Sequence, residues 1–201
     1  MKFLELNKKR HAIKHFTDQP VDPKDVRTAI EIATLAPSVH NSQPWKFVVV
    51  RQKNAELAKV AYGGNYDQVM EAPVTIALFT DTDLERRARK IARVGGVKNF
   101  TDEQLQYFMQ NLPAEYARYN EQQISDYLAL NAGLVAMNLV LALTDQGIGS
   151  NIILGFDKSK VNEVLEIEER FRPELLITVG YAAEKVEPSY RLPVDEIIEK
   201  R

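Results

Sequence analysis

The 201-residue chain contains no cysteine. That excludes disulfides, thiolate zinc sites and a cysteine nucleophile together, and it is compatible with a reducing cytoplasm, the expected location. No excess of one charge is present either: 26 basic against 28 acidic residues give a net charge of −2. There is thus no electrostatic reason to expect a nucleic-acid partner or an anionic membrane surface. Long hydrophobic runs are missing, since no window approaches the roughly 18 consecutive apolar residues of a membrane span. The opening MKFLELNKKRH lacks the uninterrupted apolar stretch of a signal peptide. The histidines number three, His11, His15 and His40. His11 and His15 stand four apart, but Lys14 lies between them and no carboxylate follows, which argues against a metal site. Also absent are G-x-G-x-x-G, the phosphate-loop pattern G-x-x-x-x-G-K-[ST], and the G-x-S-x-G of serine hydrolases.

What is present suits one globular domain over 1–201, with 45% hydrophobic and 27% charged residues. In VDPKDVRTAIEIATLAP, Asp22 reads as an N-cap residue followed by Pro23 at the first helical position. Val26, Ala29, Ile30 and Ala33 then recur at helical spacing until Pro37 forces a stop. WKFVVV (45–50) and VTIALF (74–79) do not alternate and read as strands buried on both faces. A short helix over 54–61 and a turn at 63–65 separate them. Residues 81–120 read as two helices standing partly outside the core, joined near Gly95-Gly96. The cations Arg86, Arg87, Arg89, Lys90 and Arg93 there make either a solvated helix face or a field that attracts an anionic cosubstrate. The longest helix is expected over about 121–146, with Gly147 beyond its end. Asn131 and Asn138 fall on its apolar stripe and need partners, either neighbouring loops or a subunit contact. Strands follow at 151–156 and 174–182, with a short helix capped by Asp157 between them. The polar, proline-broken tail from 184 cannot form a core element alone.

The stretch APSVHNSQPW (36–45) sets Ser38, His40, Asn41, Ser42 and Gln43 between two apolar elements. Such a loop either satisfies its own turns or reads a ligand. Arg10, His11 and Lys14 precede Phe16, Gly155 follows a buried strand, and Arg191 sits in the tail. Arg10 and Lys14 could be surface charges, Arg191 could pair with Glu187 or Asp195, and Gly155 could be a simple turn. With no nucleophile or metal evident, hard chemistry would require a cofactor, and arginine forks match the oxygens of a phosphorylated one.

KKRHAIKHF (8–16), APSVHNSQPW (36–45), LALTDQGIGSNIILGF (141–156) and SYRLP (189–193) occur in the order and at the spacings of four motifs of the FMN-dependent nitroreductase family, which the chain resembles over nearly its whole length. The resemblance implies an α+β fold with a mixed central sheet flanked by helices. It also implies a domain-swapped homodimer with the long helix at its interface, the C-terminal tail extending the partner's sheet. It implies FMN as cofactor, NADH or NADPH as cosubstrate, and a nitro compound, quinone or similar small molecule as acceptor. Carried over, Arg10 and Arg191 grip the phosphate, and Lys14 sits by the pyrimidine edge of the flavin. His11 and Ala12 line the phosphate and ribityl chain through their backbone. Pro37, Ser38 and Asn41 line the ring from the neighbouring subunit, and Asn65 and Gln68 read its polar edge. The backbone N–H of Leu154 or Gly155 reaches the reactive ring nitrogen, and His40 meets the substrate. No catalytic side chain is implied. Two departures stand out: Ala12 where many relatives have serine, and Ser189 where some have a second base. Another flavin reaction on the same fold (reductive dehalogenation, pteridine reduction) and a non-catalytic flavin-binding regulator are the alternative readings.

Overall fold

The computed structural model describes residues 2–51, 54–187 and 189–201. The order of its principal elements is α1 (Phe3–Lys9), α2 (Pro23–Ala33), β1 (Trp45–Val50), α3 (Asn54–Ala58), α4 (Asn65–Glu71), β2 (Val74–Asp81), α5 (Leu84–Val97), α6 (Asp102–Gln106), α7 (Leu112–Tyr116), α8 (Glu121–Asp145), β3 (Gly149–Ile153), α9 (Lys158–Leu165) and β4 (Phe171–Gly180). Asp22 caps α2 by accepting from the Lys24 N–H at 2.8 Å, with Pro23 opening the helix.

The strands form one sheet in the order β1-β2-β4-β3. Period-two alternation on buried strands gives it two apolar faces. Ile76, Leu78, Ile177 and Val179 join Val26, Ala29, Val135 and Leu139 beneath α2 and α8. Ala77, Phe79 and Leu176 join Leu57, Val69, Ile153 and Val161 beneath α3, α4 and α9. The fold is therefore α+β, a sheet between two helical layers. Within the chain the sheet corrects the expectation of mixed pairing. Its three strand pairs are all antiparallel, and the parallel contact is an isolated bridge between Ala12 and Ser150.

Three further expectations are corrected. β1 is not buried on both faces: it is an edge strand, with Val49 exposed. β4 begins at Phe171, upstream of Pro173. A register shift opposite Leu78/Phe79 absorbs the proline, which has no N–H to donate to the ladder. Gly95-Gly96 lies within α5 instead of joining two helices. The Phe100 ring packs where a Gly95 side chain would project, and the joint falls after Lys98, with Asn99 left-handed at φ 68°. Beyond it, α6, a π-helical turn (Tyr107–Asn111) and α7 run on from a capping box of Thr101 and Gln104. They pack through Leu112 and Tyr116 on Leu84, Ala88, Tyr127 and Leu128.

The long helix α8 starts from a capping box between Asn120 and Gln123. By length and composition it could cross a membrane, but 67% of its apolar window is buried inside the fold. β3 starts two residues earlier than expected and stops at Ile153. Beyond it the Gly155 carbonyl turns away to accept from Tyr62 N–H at 2.9 Å, and Phe156 bridges to Ala61. After Ala182 every described residue except the half-buried Val186 is exposed.

Candidate functional site

The site is built from two groups of residues. The first gathers at the end of β3. The N-terminal segment leaves α1 at Arg10 and runs beside β3, where Ile13 N–H donates to the Ser150 carbonyl at 3.0 Å. Asn151 Nδ2 donates to Gln68 Oε1 at 2.6 Å, and Asn65 Nδ2 donates to the Gly155 carbonyl at 3.1 Å. A Cβ at Gly155 would lie 2.6 Å from Asn65 Nδ2, so a larger residue there would displace the Asn65 amide. Ala12, Asn65, Gln68 and Gly155 are thus brought together, with Arg10, His11, Lys14 and Leu154 on the same segments. His11 Nδ1 meets the Lys9 carbonyl at 2.7 Å. Leu154 is exposed. Arg10 and Lys14 make no ion pair among the described residues. Gln68 is buried and uses both ends of its amide internally, its Nε2 donating to the Gly64 carbonyl at 3.2 Å. Asn151, its partner, was not singled out by the sequence. Only its position on strand β3 could have marked it.

The second group is the loop after α2. His40, Asn41 and Gln43 are all left-handed, at φ 53°, 50° and 43°, a conformation costing a non-glycine residue about 1–2 kcal/mol. Contacts from three directions hold the loop there. Asn131 Oδ1 accepts the Val39 N–H at 2.9 Å, and Ser38 Oγ accepts the Gln43 N–H at 3.0 Å. Arg87 donates its Nε to the Ser42 carbonyl at 3.1 Å and a terminal nitrogen to the Gln43 carbonyl. Tyr127 donates its hydroxyl to the Val39 carbonyl at 2.7 Å and lies 2.8 Å from Ser42 Oγ. Pro37 is exposed ahead of this knot, and Ser38 and His40 are half-buried.

A polar chain runs on from Tyr127. Its oxygen lies 2.8 Å from Tyr116 Oη, which lies 3.1 Å from His40 Nδ1. The Val39 carbonyl can only accept, so it takes the Tyr127 proton; Tyr116 then donates to Tyr127, and His40 donates from Nδ1 to Tyr116. Burial pushes both phenols above the usual tyrosine range, which keeps them protonated. In its neutral form His40 is thereby fixed as the Nδ1–H tautomer, leaving Nε2 as an acceptor. Tyr116 carried no sequence signal. Tyr127 and Asn131, four apart on an apolar stripe, offered one.

Arg191 belongs to neither group within the chain. Its guanidinium donates to the carbonyls of Tyr190 at 2.8 Å and Ser189 at 3.3 Å, on an exposed tail. The suggested pairing with Glu187 or Asp195 is not among its described contacts; Glu187 instead meets Lys185 at 3.4 Å.

Comparison with known proteins gives this arrangement its family. The model of the nitroreductase family matches residues 8–181. The curated protein named "Putative NAD(P)H nitroreductase" from Streptococcus pyogenes serotype M6 is 67% identical over 201 residues, covering 100% of each chain. The crystal structure of a nitroreductase family protein from Streptococcus pneumoniae TIGR4 superposes with a TM-score of 0.96 at 88% identity, over 100% of each chain. That of a nitroreductase-type protein from Exiguobacterium sibiricum, in complex with FMN, superposes at 0.90 with 28% identity, over 100% of this chain and 98% of the other. The chain belongs to the nitroreductase family.

Proposed function

We propose that the protein is an FMN-dependent oxidoreductase that takes electrons from NADH or NADPH and passes them to nitro compounds, quinones or similar small acceptors. The single observation that carries this reading is the convergence at the end of β3. The segments that carry Arg10, His11, Ala12 and Lys14, then Asn65 and Gln68, then Leu154 and Gly155, assigned by resemblance to one cofactor, are linked there by the Ile13–Ser150, Gln68–Asn151 and Asn65–Gly155 hydrogen bonds. The donor set also suits a phosphorylated flavin. Arg10 and Lys14 are free of carboxylate partners among the described residues, and glycine at 155 admits close backbone approach.

The flavin, when bound, supplies the two-electron chemistry. Arg10 and Arg191 hold the phosphate, while His11, Ala12 and Leu154 line the cofactor through their backbone. Lys14 carries positive charge to the edge where negative charge collects on reduction. Pro37, Ser38 and Asn41 close the ring from the neighbouring subunit, with Asn65 at its polar edge. Gln68, whose amide is engaged internally, serves by holding Asn151. His40 meets the substrate with Nε2. Donor and acceptor occupy the same face in turn, which gives ping-pong kinetics.

The same reading makes the protein a homodimer of single-domain chains, with 81–120 as a helical lid, working in the cytoplasm. Leu130, Leu134 and Met137 on α8, and Ile32 and Leu35 at the end of α2, are exposed, as an unfilled contact surface would be. The tail carries exposed Tyr190, Leu192, Val194, Ile197 and Ile198. A groove of about 610 Å³ lined by Val26, Ile30, Trp45, Phe47 and Val49 runs along edge strand β1, where a partner's tail could extend the sheet. The test is direct. Purified protein should be yellow, release FMN on denaturation, and lose its visible absorbance when NADH or NADPH is added without oxygen. Protein that holds no flavin and takes up none would overturn the reading. Bound flavin that neither nucleotide reduces would favour the regulatory alternative.

A further inference from the structure

Between α5 and the strained loop lies a cavity of about 390 Å³, bordered by Asn41 and Gln43 on one side and by Arg87, Lys90 and Lys98 on the other. Helical spacing turns Arg87, Lys90, Ile91, Val94 and Lys98 toward the same side. The lining is therefore amphipathic: Ile91, Val94 and Phe100 are apolar, three residues are cationic, and none is a carboxylate. Two other cations on or near this helix are paired with carboxylates. Arg89 pairs with Glu85 at 3.0 Å, and Arg170 with Asp81 at 3.0 Å. Lys90 and Lys98 make no ion pair among the described residues, and the Arg87 contacts are with the backbone carbonyls of Ser42 and Gln43. Burial holds Arg87 below the ordinary guanidinium range, as for a cation that has given up water without gaining a full counter-charge.

We propose that this cavity receives the phosphorylated adenosine end of the nicotinamide donor, with phosphate oxygens on Arg87, Lys90 and Lys98 and the adenine against Ile91, Val94 and Phe100. The proposal rests on the reading of the protein as an NAD(P)H-dependent enzyme and adds to it the donor's binding site and a preference for NADPH. Three cations match the several charges of a dinucleotide bearing a further phosphate; a single carboxylate would leave two of them without a counter-charge. The apolar side chains of Ile91, Val94 and Phe100 suit a base, and the loop carrying Asn41 joins the cavity to the region assigned to the flavin.

The test uses the full-length, flavin-bearing protein with adenosine 2′,5′-bisphosphate and AMP as probes, titrated calorimetrically into wild type and the double variant K90E/K98E. The bisphosphate should bind more tightly than AMP, and its Kd should rise about tenfold or more in the variant. Raising the salt should weaken wild-type binding, while flavin content stays unchanged. Flavin-bearing protein whose bisphosphate affinity ignores the two substitutions, or which binds benzoate as tightly, overturns this proposal and leaves the functional reading standing. Protein with no flavin and no NAD(P)H oxidation overturns both.

Discussion

Asn131 joins two segments that lie 92 residues apart in sequence: its Oδ1 accepts the Val39 N–H at 2.9 Å, while its Nδ2 donates to the Tyr127 carbonyl at 2.7 Å. The residue is fully buried. One amide on the core helix thus fixes the entry of a loop whose next residues are held left-handed. Replacing it with leucine keeps the branched heavy-atom frame but leaves the Val39 N–H without its partner. Asn131→Leu should therefore cost about 1–3 kcal/mol, read as a lower midpoint in urea denaturation. Unchanged stability would mean that water or another acceptor serves Val39 equally well.

How much of this was legible in sequence depends on the range of the cause. Asp22 before Pro23 and the apolar stripe of α8 are local signals, and the structure places α8 within one residue of the expected end. β2, read as buried on both faces, is buried throughout. α1 escaped notice because it buries none of its residues and so has no clear apolar face. Gly95 was misread because the Phe100 ring that needs the glycine returns only after a turn. At the site, the ordered motifs pointed to the loop and the strand exit, but the polar chain from His40 through Tyr116 to Tyr127 exists only once α7 packs on α8.

Arg191 and Lys14 have different assigned roles, so their loss should be felt differently. A phosphate contact contributes equally before and after reduction, whereas a charge beside the flavin ring strengthens as negative charge develops. Arg191→Ala should raise the Kd for FMN by roughly 10- to 100-fold, the range of a lost charge-assisted hydrogen bond. Lys14→Ala should bind FMN better than that but be reduced more slowly by NADH in single turnover. Equal effects of both substitutions on both quantities would refute the division.

Tyr116 makes stability depend on alkaline pH. Burial, then its hydrogen bond with Tyr127, pushes its phenol above the ordinary range. The unfolded chain loses that proton near pH 10 while the folded protein keeps it. Below pH 10 the contribution is fully present. Above it the unfolded state holds fewer protons, so stability falls with rising pH, by about 1.4 kcal/mol per pH unit for each such tyrosine. Denaturation curves between pH 9 and 11.5 should slope more steeply for wild type than for Tyr116→Phe. Parallel slopes would show that the phenol titrates normally in the fold.

The tail joins assembly to cofactor binding. Residues beyond Ala183 carry Arg191 together with exposed Tyr190, Leu192, Val194, Ile197 and Ile198, and they leave the chain without a core of their own. If they cross to a partner's β1 edge, and if the loop at 37–43 serves the neighbouring flavin, then folding, dimerisation and FMN binding form one linked equilibrium. Deleting 184–201 should then remove a phosphate ligand and the sheet extension in one step. The exposed apolar residues of α8 and α2 would lose the stability of a bound partner, and a free chain with that surface should aggregate. Light scattering should show loss of the dimer with a rise in large species, and flavin absorbance per chain should drop below half of the full-length value. A truncated chain that stays dimeric and fully flavin-bound would show the tail to be a frayed end, and the phosphate to be held by Arg10 and its neighbours alone.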